Sequence, residues 1–327
     1  MPSSILHPPS SHVLITGGAG FIGSHLTERL LADGACVTVI DDLSTGSLDN
    51  LKAAQTSPRF RFVQAKVSEC AELSNLVAES RQIFHLAAAV GVELVVKSPV
   101  RVIETNLHET EVLLKAATVN RTPVLLASTS EVYGKSAKEV FSEEDDLLIG
   151  PPTHARWSYA CSKLMDEFLA LAYAKERALP VVIARFFNTV GPRQTGRYGM
   201  VLPRFIAAAQ RGEALRVYGD GGQSRCFCYV KDTVEALVRL TASPAATNQI
   251  FNIGSTEEIS IADLAALVIQ TLGSKSTVQL VPYNEAYEPG FEDMRRRKPS
   301  VEKLAQLTGY NPATTLREII QRTAVGA

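Results

Sequence analysis

The sequence predicts an α/β fold built on a doubly wound parallel sheet, with a smaller, discontinuous α/β lobe toward its C-terminus. Short runs rich in β-branched residues alternate with segments of helical apolar spacing through the first half of the chain. This alternation is typical of parallel strands joined by covering helices. A glycine-rich turn stands between the first strand and the first helix, as in Rossmann-type domains. The 327 residues, 46% of them hydrophobic, are enough for two domains.

The elements of the sheet follow in chain order. The predicted strands are His12–Thr16, Cys36–Ile40, Phe60–Gln64, Gln82–Leu86, Val124–Ala127 and Val181–Arg185. The clearest helical patterns between them are Phe21–Ala32, Val100–Val119 and Ser158–Glu176. After Arg185 glycine and proline cluster, which indicates a second lobe. Val230–Leu240 and Ile250–Ile253 still resemble elements that cover the sheet, so the two lobes interleave in sequence.

These patterns predict the domain boundaries. The first residues are rich in proline and serine and carry no apolar stretch of a signal peptide. We therefore expect a disordered tail at 1–11, a Rossmann domain at 12–185 to which 226–254 returns, and a smaller lobe formed by 186–225 and 255–327.

Composition excludes several functional classes. The 33 basic and 34 acidic residues nearly cancel, which leaves no net field to attract nucleic acid or an anionic membrane. The five cysteines are scattered and never spaced as CxxC, so we expect no metal site and no disulfide framework. A cytoplasmic enzyme fits this composition best.

The glycine turn has the spacing of a dinucleotide site. Gly17, Gly20 and Gly23 follow the first strand directly, with Phe21 and Ile22 opening the helix. A pyrophosphate needs backbone N–H donors at a helix N-terminus and glycines where a Cβ would block its approach. Asp41 ends the second strand about 20 residues further on, where a carboxylate binds the adenosine ribose and repels a 2′-phosphate. The sequence therefore predicts NAD as the cofactor, although the adjacent Asp42 leaves open which acid faces the ribose.

A catalytic pattern lies in the third helical segment. Tyr159 and Lys163 are four residues apart on one helix and share a face. A tyrosinate can take a proton from a sugar hydroxyl, and a neighbouring ammonium favours the charged phenolate. Thr129, in Ser128-Thr-Ser-Glu131, follows a buried strand, where its hydroxyl can reach the reacting oxygen.

Together these motifs resemble a known family. TGGAGFIGSHL, HLAA, STSEVYG, YACSK, RFFNTVGPR and the later VYGDG and QSRCF are similar to the extended short-chain dehydrogenases of the NAD-dependent epimerase/dehydratase family. The resemblance implies tightly held NAD and a homodimer. It also implies that Thr129, Tyr159 and Lys163 are catalytic, and that the cofactor-side residues are His85, Leu86, Ala87 and Asn106. Lys66 departs from the Asp that family members usually have after the third strand.

Residues near the sugar C5 bear on the reaction that follows oxidation at C4. The resemblance is greatest to the UDP-glucuronate decarboxylase branch, in which Glu131 and Arg225 are active-site residues. That branch generally has a tyrosine where this sequence has Val95, so a UDP-sugar 4-epimerase stays open. A 4,6-dehydratase is weaker, because many of those enzymes have Asp where this chain has Ser130. An NAD-binding scaffold without catalysis is the alternative from another class.

The substrate end of the site is predicted from residues on several segments. We expect a nucleotide-sugar substrate, most simply a UDP-sugar, in the smaller lobe. The residues expected to bind it are Ser130, Asn188, Arg204, Tyr218, Arg225 and Arg297. Guanidinium groups bind carboxylates and phosphates through paired hydrogen bonds, and an amide such as that of Asn188 suits a diphosphate oxygen.

Overall fold

The computed structural model describes residues 11–91, 95, 97–195, 200–282, 285 and 294–325. Apart from Ser11, the predicted tail at 1–11 lies outside the described residues. The strands of the main sheet are β1 His12–Thr16, β2 Cys36–Asp41, β3 Phe60–Gln64, β4 Gln82–His85, β5 Val124–Thr129, β6 Val181–Phe186 and β11 Gln249–Ile253. The remaining strands are β7 Thr189–Val190, β8 Leu215–Tyr218, β9 Ser224–Cys226, β10 Cys228–Tyr229, β12 Glu258–Ser260, β13 Val278–Val281 and β14 Arg296–Arg297.

The helices lie between these strands. They are α1 Phe21–Ala32, α2 Leu73–Glu79, α3 Pro99–Asn120, α4 Arg156–Arg177, α5 Val201–Arg211, α6 Val230–Ala242, α7 Ile261–Leu272, α8 Glu302–Thr308 and α9 Leu316–Val325. Among the helices of the described residues, none combines the length and apolar composition that crossing a bilayer requires.

The main sheet has seven strands in the order β11-β6-β5-β4-β1-β2-β3, and its pairs are parallel. This confirms the predicted fold class. The order reverses between β1 and β4, and ligands of such sheets bind beyond the carboxyl ends of the strands at that point. Ile250–Ile253, expected among the elements that cover the sheet, belongs to its edge strand β11, which pairs with β6. A short, largely buried apolar run cannot be assigned to strand or helix by periodicity alone.

Helices cover both faces of the sheet, which explains why its strands read as nearly continuous apolar runs. One core contains Leu30 of α1, Leu237 of α6 and Leu304 of α8 packed on the sheet. The other core contains Leu76 of α2 and Leu113 of α3, with α4 beside them. Both cores are fully buried, so the sheet is a rigid base for the loops at its carboxyl edge.

The smaller lobe has its own core, and three small sheets lie outside the main sheet among the described residues, one of them the pair β7 and β10. Phe205 of α5, Leu264 of α7 and Ile319 of α9 pack against β8, which pairs with β13. A three-stranded sheet runs in the order β12-β9-β14. Tyr229 and Val230 belong to this core, whereas Val234, one turn further along α6, packs in the core of the main sheet. The chain therefore passes between the two cores within the first turn of α6.

Candidate active site

A pocket of about 530 Å³ lies at the carboxyl edge of the sheet, between the glycine turn and the smaller lobe. The predicted site residues line this pocket, apart from His85 and Asn106. Residues separated by as many as 280 positions in sequence, from Gly17 to Arg297, therefore face one cavity. The cavity has two ends, a cofactor end at the glycine turn and a sugar end at the N-terminus of α4.

The glycine turn is shaped for a close backbone approach. Gly17 has a φ of +73°, and a Cβ there would lie 2.7 Å from the backbone nitrogen of Ala87. Gly20 is the N-cap of α1, and no side chain caps that helix end. The nearest atom to a Cβ at Gly20 is the Gly17 carbonyl oxygen at 3.2 Å. The first N–H groups of α1 are thus left for an anion, as the pyrophosphate of NAD requires.

Asp41 is held firmly at the edge of this turn. Its Oδ2 accepts a hydrogen bond from the Ala19 nitrogen at 2.9 Å, and its Oδ1 accepts one from the Leu43 nitrogen at 2.8 Å. Burial raises the pKa of Asp41, while these two N–H donors oppose the rise. Asp42 instead accepts from the Ser44 nitrogen at 2.9 Å, away from the glycine turn. The geometry therefore favours Asp41 over Asp42 as the partner of the adenosine ribose.

Lys66, which replaces the expected Asp, also lines the cofactor end. Its ammonium is exposed and donates to Glu69 Oε1 at 2.6 Å. An ammonium has donors only, so it cannot accept a hydrogen bond from the adenine amino group as a carboxylate can. The departure seen in the sequence thus changes the chemistry available at that position.

His85 and Asn106 act behind the pocket wall. Asn106 Oδ1 accepts from the Ala89 nitrogen at 2.8 Å, and its Nδ2 donates to Ser162 Oγ at 3.1 Å. His85 lies 2.7 Å from Thr16 Oγ1, and burial followed by the nearby Lys163 charge lowers the pKa of His85 to about 3. Both residues are buried. Asn106 fixes Ala89 in the segment after β4, whereas His85 links Thr16 of β1 to Thr110 of α3.

The two hydroxyls predicted to be catalytic, those of Thr129 and Tyr159, lie together where β5 ends. A 3₁₀ turn at Ser130–Tyr133 follows β5, and Thr129 Oγ1 accepts from the Glu131 nitrogen at 3.2 Å. Burial raises the pKa of Tyr159 above its ordinary value, and the Glu131 carboxylate adds to the rise. A hydrogen bond with Thr129 lowers the pKa of Tyr159 in part. Tyr159 is therefore protonated here and needs positive charge nearby to act as a base.

The Lys163 ammonium lies one helical turn below Tyr159 and is buried. It donates to Asp166 Oδ2 at 2.7 Å. Only 3% of the Lys163 side chain and 0% of the Asp166 side chain are exposed. Asp166 thus gives Lys163 a counter-charge inside the protein.

Glu131 lies between two arginines at the sugar end. Arg156 Nη2 donates to Glu131 Oε2 at 3.1 Å, and Arg297 Nη1 donates to Glu131 Oε1. Burial alone would raise the pKa of Glu131, but Arg297, Arg156 and Arg225 lower that pKa to about 2. Glu131 is therefore a carboxylate at neutral pH, able to accept a proton but with none to donate.

Strand pairing in the smaller lobe places Arg225 and Arg297 side by side. In the register of β14 with β9, Arg297 is the partner of Arg225. The chain after β14 is fixed by Phe141, whose nitrogen donates to the Lys298 oxygen at 2.8 Å. Like charges at paired positions repel one another unless an anion lies near. Glu131 is one such anion, and a bound ligand can supply another.

Arg204 and Tyr218 form a pair at the outer rim. Arg204 Nη1 donates to the Tyr218 hydroxyl at 3.0 Å, and the guanidinium carbon of Arg204 lies 4.7 Å from the centre of the Tyr218 ring.

Asn188 is held by two hydrogen bonds. Its Nδ2 donates to the Cys226 oxygen at 3.0 Å, and its Oδ1 accepts from Arg297 Nη2 at 3.4 Å. The amide expected to face a diphosphate is thus also tied to the arginine cluster.

Sequence reasoning missed Arg156 and Asp166. Each had a signal in the helical spacing, since Arg156 is three residues before Tyr159 and Asp166 is three residues after Lys163. Neither position completes a recognised motif. Their partners became evident only once the 3₁₀ turn and the burial of α4 were known.

Comparison with known proteins places the chain in a family. A family model described as GDP-mannose 4,6 dehydratase matches residues 14–323. UDP-N-acetyl-alpha-D-glucosaminuronate decarboxylase of Bacillus cytotoxicus is 41% identical over 95% of this chain and 95% of its own length. The chain belongs to the NAD-dependent epimerase/dehydratase family.

Further relatives within this family act on nucleotide sugars. UDP-glucuronic acid decarboxylase 1 of Danio rerio is 37% identical over 95% of this chain and 71% of its own length. UDP-glucuronic acid 4-epimerase from Bacillus cereus, solved in complex with UDP-glucuronic acid and NAD, is 27% identical. It superposes with a TM-score of 0.87 over 96% of this chain and 98% of its own. The protein is an NAD-dependent enzyme of nucleotide-sugar chemistry.

Proposed function

We propose that the protein decarboxylates a UDP-hexuronate of the UDP-glucuronate type and yields a UDP-pentose. The observation that carries this proposal is the cluster of Arg156, Arg225 and Arg297 around Glu131. Among the described residues that line the sugar end, one carboxylate, that of Glu131, lies beside these three guanidinium groups. Positive charge therefore outweighs negative charge where C5 of the sugar would lie, which suits a substrate that carries a carboxylate there.

Residues of α4 and β5 supply the first step. The glycine turn and Asp41 would hold NAD, which would supply the redox chemistry, namely reversible hydride transfer with C4. Tyr159 takes the proton of the C4 hydroxyl, with Thr129 donating a hydrogen bond to the same oxygen. Lys163 holds positive charge beneath Tyr159, which favours its phenolate.

The second step follows from the chemistry of the oxidised sugar. A ketone at C4 makes the C5 carboxylate a β-keto acid, so the C5–C6 bond can break with release of carbon dioxide. The electron pair moves onto the C4 oxygen, where Tyr159 and Thr129 lie. A proton taken from water then adds at C5 and restores the C4 ketone, and return of hydride to C4 with the proton held by Tyr159 would complete the UDP-pentose. The arginines orient the carboxylate before it leaves, and Glu131 holds two of the guanidiniums in place.

The alternative is 4-epimerisation of the same class of substrate. Val95 favours it, because Val95 is buried against Ala89 and Tyr159 where the decarboxylase branch generally has a tyrosine beside the sugar. The Bacillus cereus relative solved in complex with UDP-glucuronic acid is a 4-epimerase. An epimerase needs the Thr129, Tyr159 and Lys163 chemistry but leaves the carboxylate intact.

A panel of substrates separates these reactions. The protein with NAD is incubated with UDP-glucuronate, its 2-acetamido analogue UDP-N-acetylglucosaminuronate, UDP-glucose and dTDP-glucose, and the products are analysed by mass spectrometry and NMR. We expect loss of one carbon dioxide from one or both uronates and no change in the neutral sugars. Interconversion of C4 epimers without loss of mass would instead establish the epimerase, and loss of water would establish a dehydratase.

We further propose that the protein is a homodimer built on α3 and α4. Val100 and Ile103 of α3 and Met165 and Phe168 of α4 are exposed, and Phe168 is 63% exposed. Several exposed apolar side chains on two neighbouring helices are typical of an interface between subunits. Sedimentation analysis of wild type and Phe168→Glu tests the dimer, and we expect the variant to be a monomer.

We also propose that the protein works in a reducing compartment such as the cytoplasm. The five cysteines of the protein are free, which agrees with such a compartment.

A further inference from the structure

Asp166 is a buried acid whose position the reaction described above does not explain. Its Oδ2 lies 2.7 Å from the Lys163 ammonium, and its side chain is 0% exposed. A buried carboxylate is costly unless a charge or several hydrogen bonds compensate it. The pair with Lys163 compensates the cost, so the question is what the pair does for the site.

The surroundings of Asp166 assign it to Lys163. On its own helix, the neighbouring Glu167 is bound instead to Arg185, whose Nη2 donates to Glu167 Oε2 at 2.7 Å. Burial raises the pKa of Asp166, and Lys163 is the main opposing influence, followed by Thr110 of α3. His85 of β4 lies behind Thr110, 3.2 Å from its Oγ1. Among the described residues, Lys163 is thus the cation that pairs with Asp166.

An ammonium group has three donors, and Asp166 takes one of them. The others remain for the nicotinamide ribose and for the face of α4 that carries Tyr159. We propose, on the basis of the function proposed above, that Asp166 is a positioning residue that fixes the Lys163 ammonium below Tyr159 and controls when Tyr159 becomes a base. The Asp166 carboxylate does so by partly neutralising the positive charge of Lys163, which would otherwise stabilise the Tyr159 phenolate.

The electrostatics of Tyr159 support this role. Burial is the largest cause that raises its pKa, followed by the Glu131 carboxylate of the 3₁₀ turn. The Thr129 hydroxyl of β5 lowers the pKa of Tyr159, and Asp166 raises it. When Asp166 is charged, ionising Tyr159 adds a second negative charge beside one lysine. Without that charge, the phenolate becomes the counter-ion of Lys163, and the proton leaves more readily.

The test compares the ionisation of Tyr159 in wild type and in Asp166→Asn, both loaded with NAD. Tyrosine labelled at its ring ζ-carbon is followed by NMR over pH, and Tyr159→Phe identifies the signal. We expect Tyr159 in Asp166→Asn to ionise at a pH lower by about one unit, which is a tenfold change in its acidity. The acidic limb of the pH–rate profile with UDP-glucuronate should move in the same direction.

The matched control is Glu167→Gln, which removes the adjacent buried carboxylate of the same helix but leaves the Lys163 pair intact. Its Tyr159 signal should titrate as in wild type, and Asp166→Glu should restore the wild-type titration. Coincident Tyr159 titrations in wild type and Asp166→Asn would overturn the proposal. Should Asp166→Asn fail to fold, NMR of carboxyl-labelled aspartate in wild type decides, since an uncharged Asp166 at the pH of activity would also overturn it.

The two proposals fail separately. The NMR titrations need no substrate, so a shift in Tyr159 ionisation without turnover of any uronate would contradict the proposed function alone. Turnover of a uronate with no shift would contradict the role of Asp166 alone.

Discussion

The two ends of the pocket are built in opposite ways. At the cofactor end, the glycine turn and Asp41 come from one short stretch of chain and use backbone donors, with the acid Asp41 anchored by two N–H groups. The sugar end comes from distant elements and uses side-chain charge, with the acid Glu131 anchored by Arg156 and Arg297. Backbone recognition suits a cofactor that never changes. Side-chain charge can be altered by single substitutions, so the sugar end is where specificity within the family can diverge.

Tyr159 joins the two ends, and its loss should have the largest effect. Tyr159→Phe removes the hydroxyl that accepts the C4 proton, and we expect kcat to fall by about a hundredfold to ten-thousandfold. NAD content and thermal stability should stay close to wild type, because the ring keeps its packing. Turnover at the wild-type rate would show that a residue other than Tyr159 accepts the C4 proton.

Replacing Arg297 should affect the sugar end alone. Arg297→Ala removes a charged donor from the cluster, and we expect the Kd for a UDP-hexuronate to rise by roughly thirtyfold, or about 2 kcal/mol. Calorimetry should show little change for UDP-glucose, which has no carboxylate.

The matched control for Arg297 is Arg295→Ala, two residues earlier. The Arg295 side chain is 81% exposed and pairs with Asp220, away from Glu131. This variant should bind both sugars as wild type does. Equal losses for the uronate and for UDP-glucose in Arg297→Ala would contradict carboxylate recognition and indicate a diphosphate contact.

The cofactor end is tested at Asp41. In Asp41→Asn the amide nitrogen cannot accept a hydrogen bond, so Ala19 or Leu43 loses its acceptor and the ribose loses a charged partner. We expect the Kd for NAD to rise by about tenfold, measured by calorimetry, since such a bond contributes about 1–2 kcal/mol. Asp42→Asn should change the Kd by less than about twofold. The reverse ranking would make Asp42 the ribose partner.

The smallest expected effect is on stability in acid. The pKa of Glu131 is lowered from 4.5 to about 2, so the stabilisation that this carboxylate contributes is complete above pH 4.5 and is lost as the pH falls toward 2. The free energy of unfolding of Glu131→Gln, measured with urea, should therefore fall less steeply than that of wild type over this interval. Parallel curves would mean that the arginines do not hold Glu131 ionised.

The contrast between the two ends also explains what sequence alone could predict. The six predicted strands and the helices α1, α3, α4 and α6 agree with the structure to within two residues at each end, because each is a local pattern of apolar spacing. The shorter helices α2 and α8 were not predicted. The cofactor end follows the same logic, since Gly17 through Gly23 and Asp41 lie at fixed distances along the chain. Ile250–Ile253, which was expected to cover the sheet, is instead a strand whose partner β6 lies far back in sequence.

The sugar end could be predicted only as a set of residues. Arg297 was expected to complete the nucleotide pocket, but its position beside Glu131 depends on the register of β14 with β9 and on the tie to Phe141. Arg156 was missed because its ion pair with Glu131 forms between distant segments and has no spacing in sequence. Asp166 has helical spacing from Lys163, but the sequence does not show that this pair is buried. Resemblance to a family identified Glu131 and Arg225, yet it could not show that the arginines keep Glu131 charged.

The central claim is that the sugar end prepares a carboxylate to leave as carbon dioxide. The most direct measurement uses UDP-glucuronate and UDP-N-acetylglucosaminuronate isotopically labelled at the carboxyl carbon, incubated with the protein and NAD. We predict that the label appears as carbon dioxide in step with formation of an unlabelled UDP-pentose, and that Arg297→Ala slows both. Label retained in a nucleotide sugar whose C4 configuration has changed would contradict the claim and make the protein an epimerase.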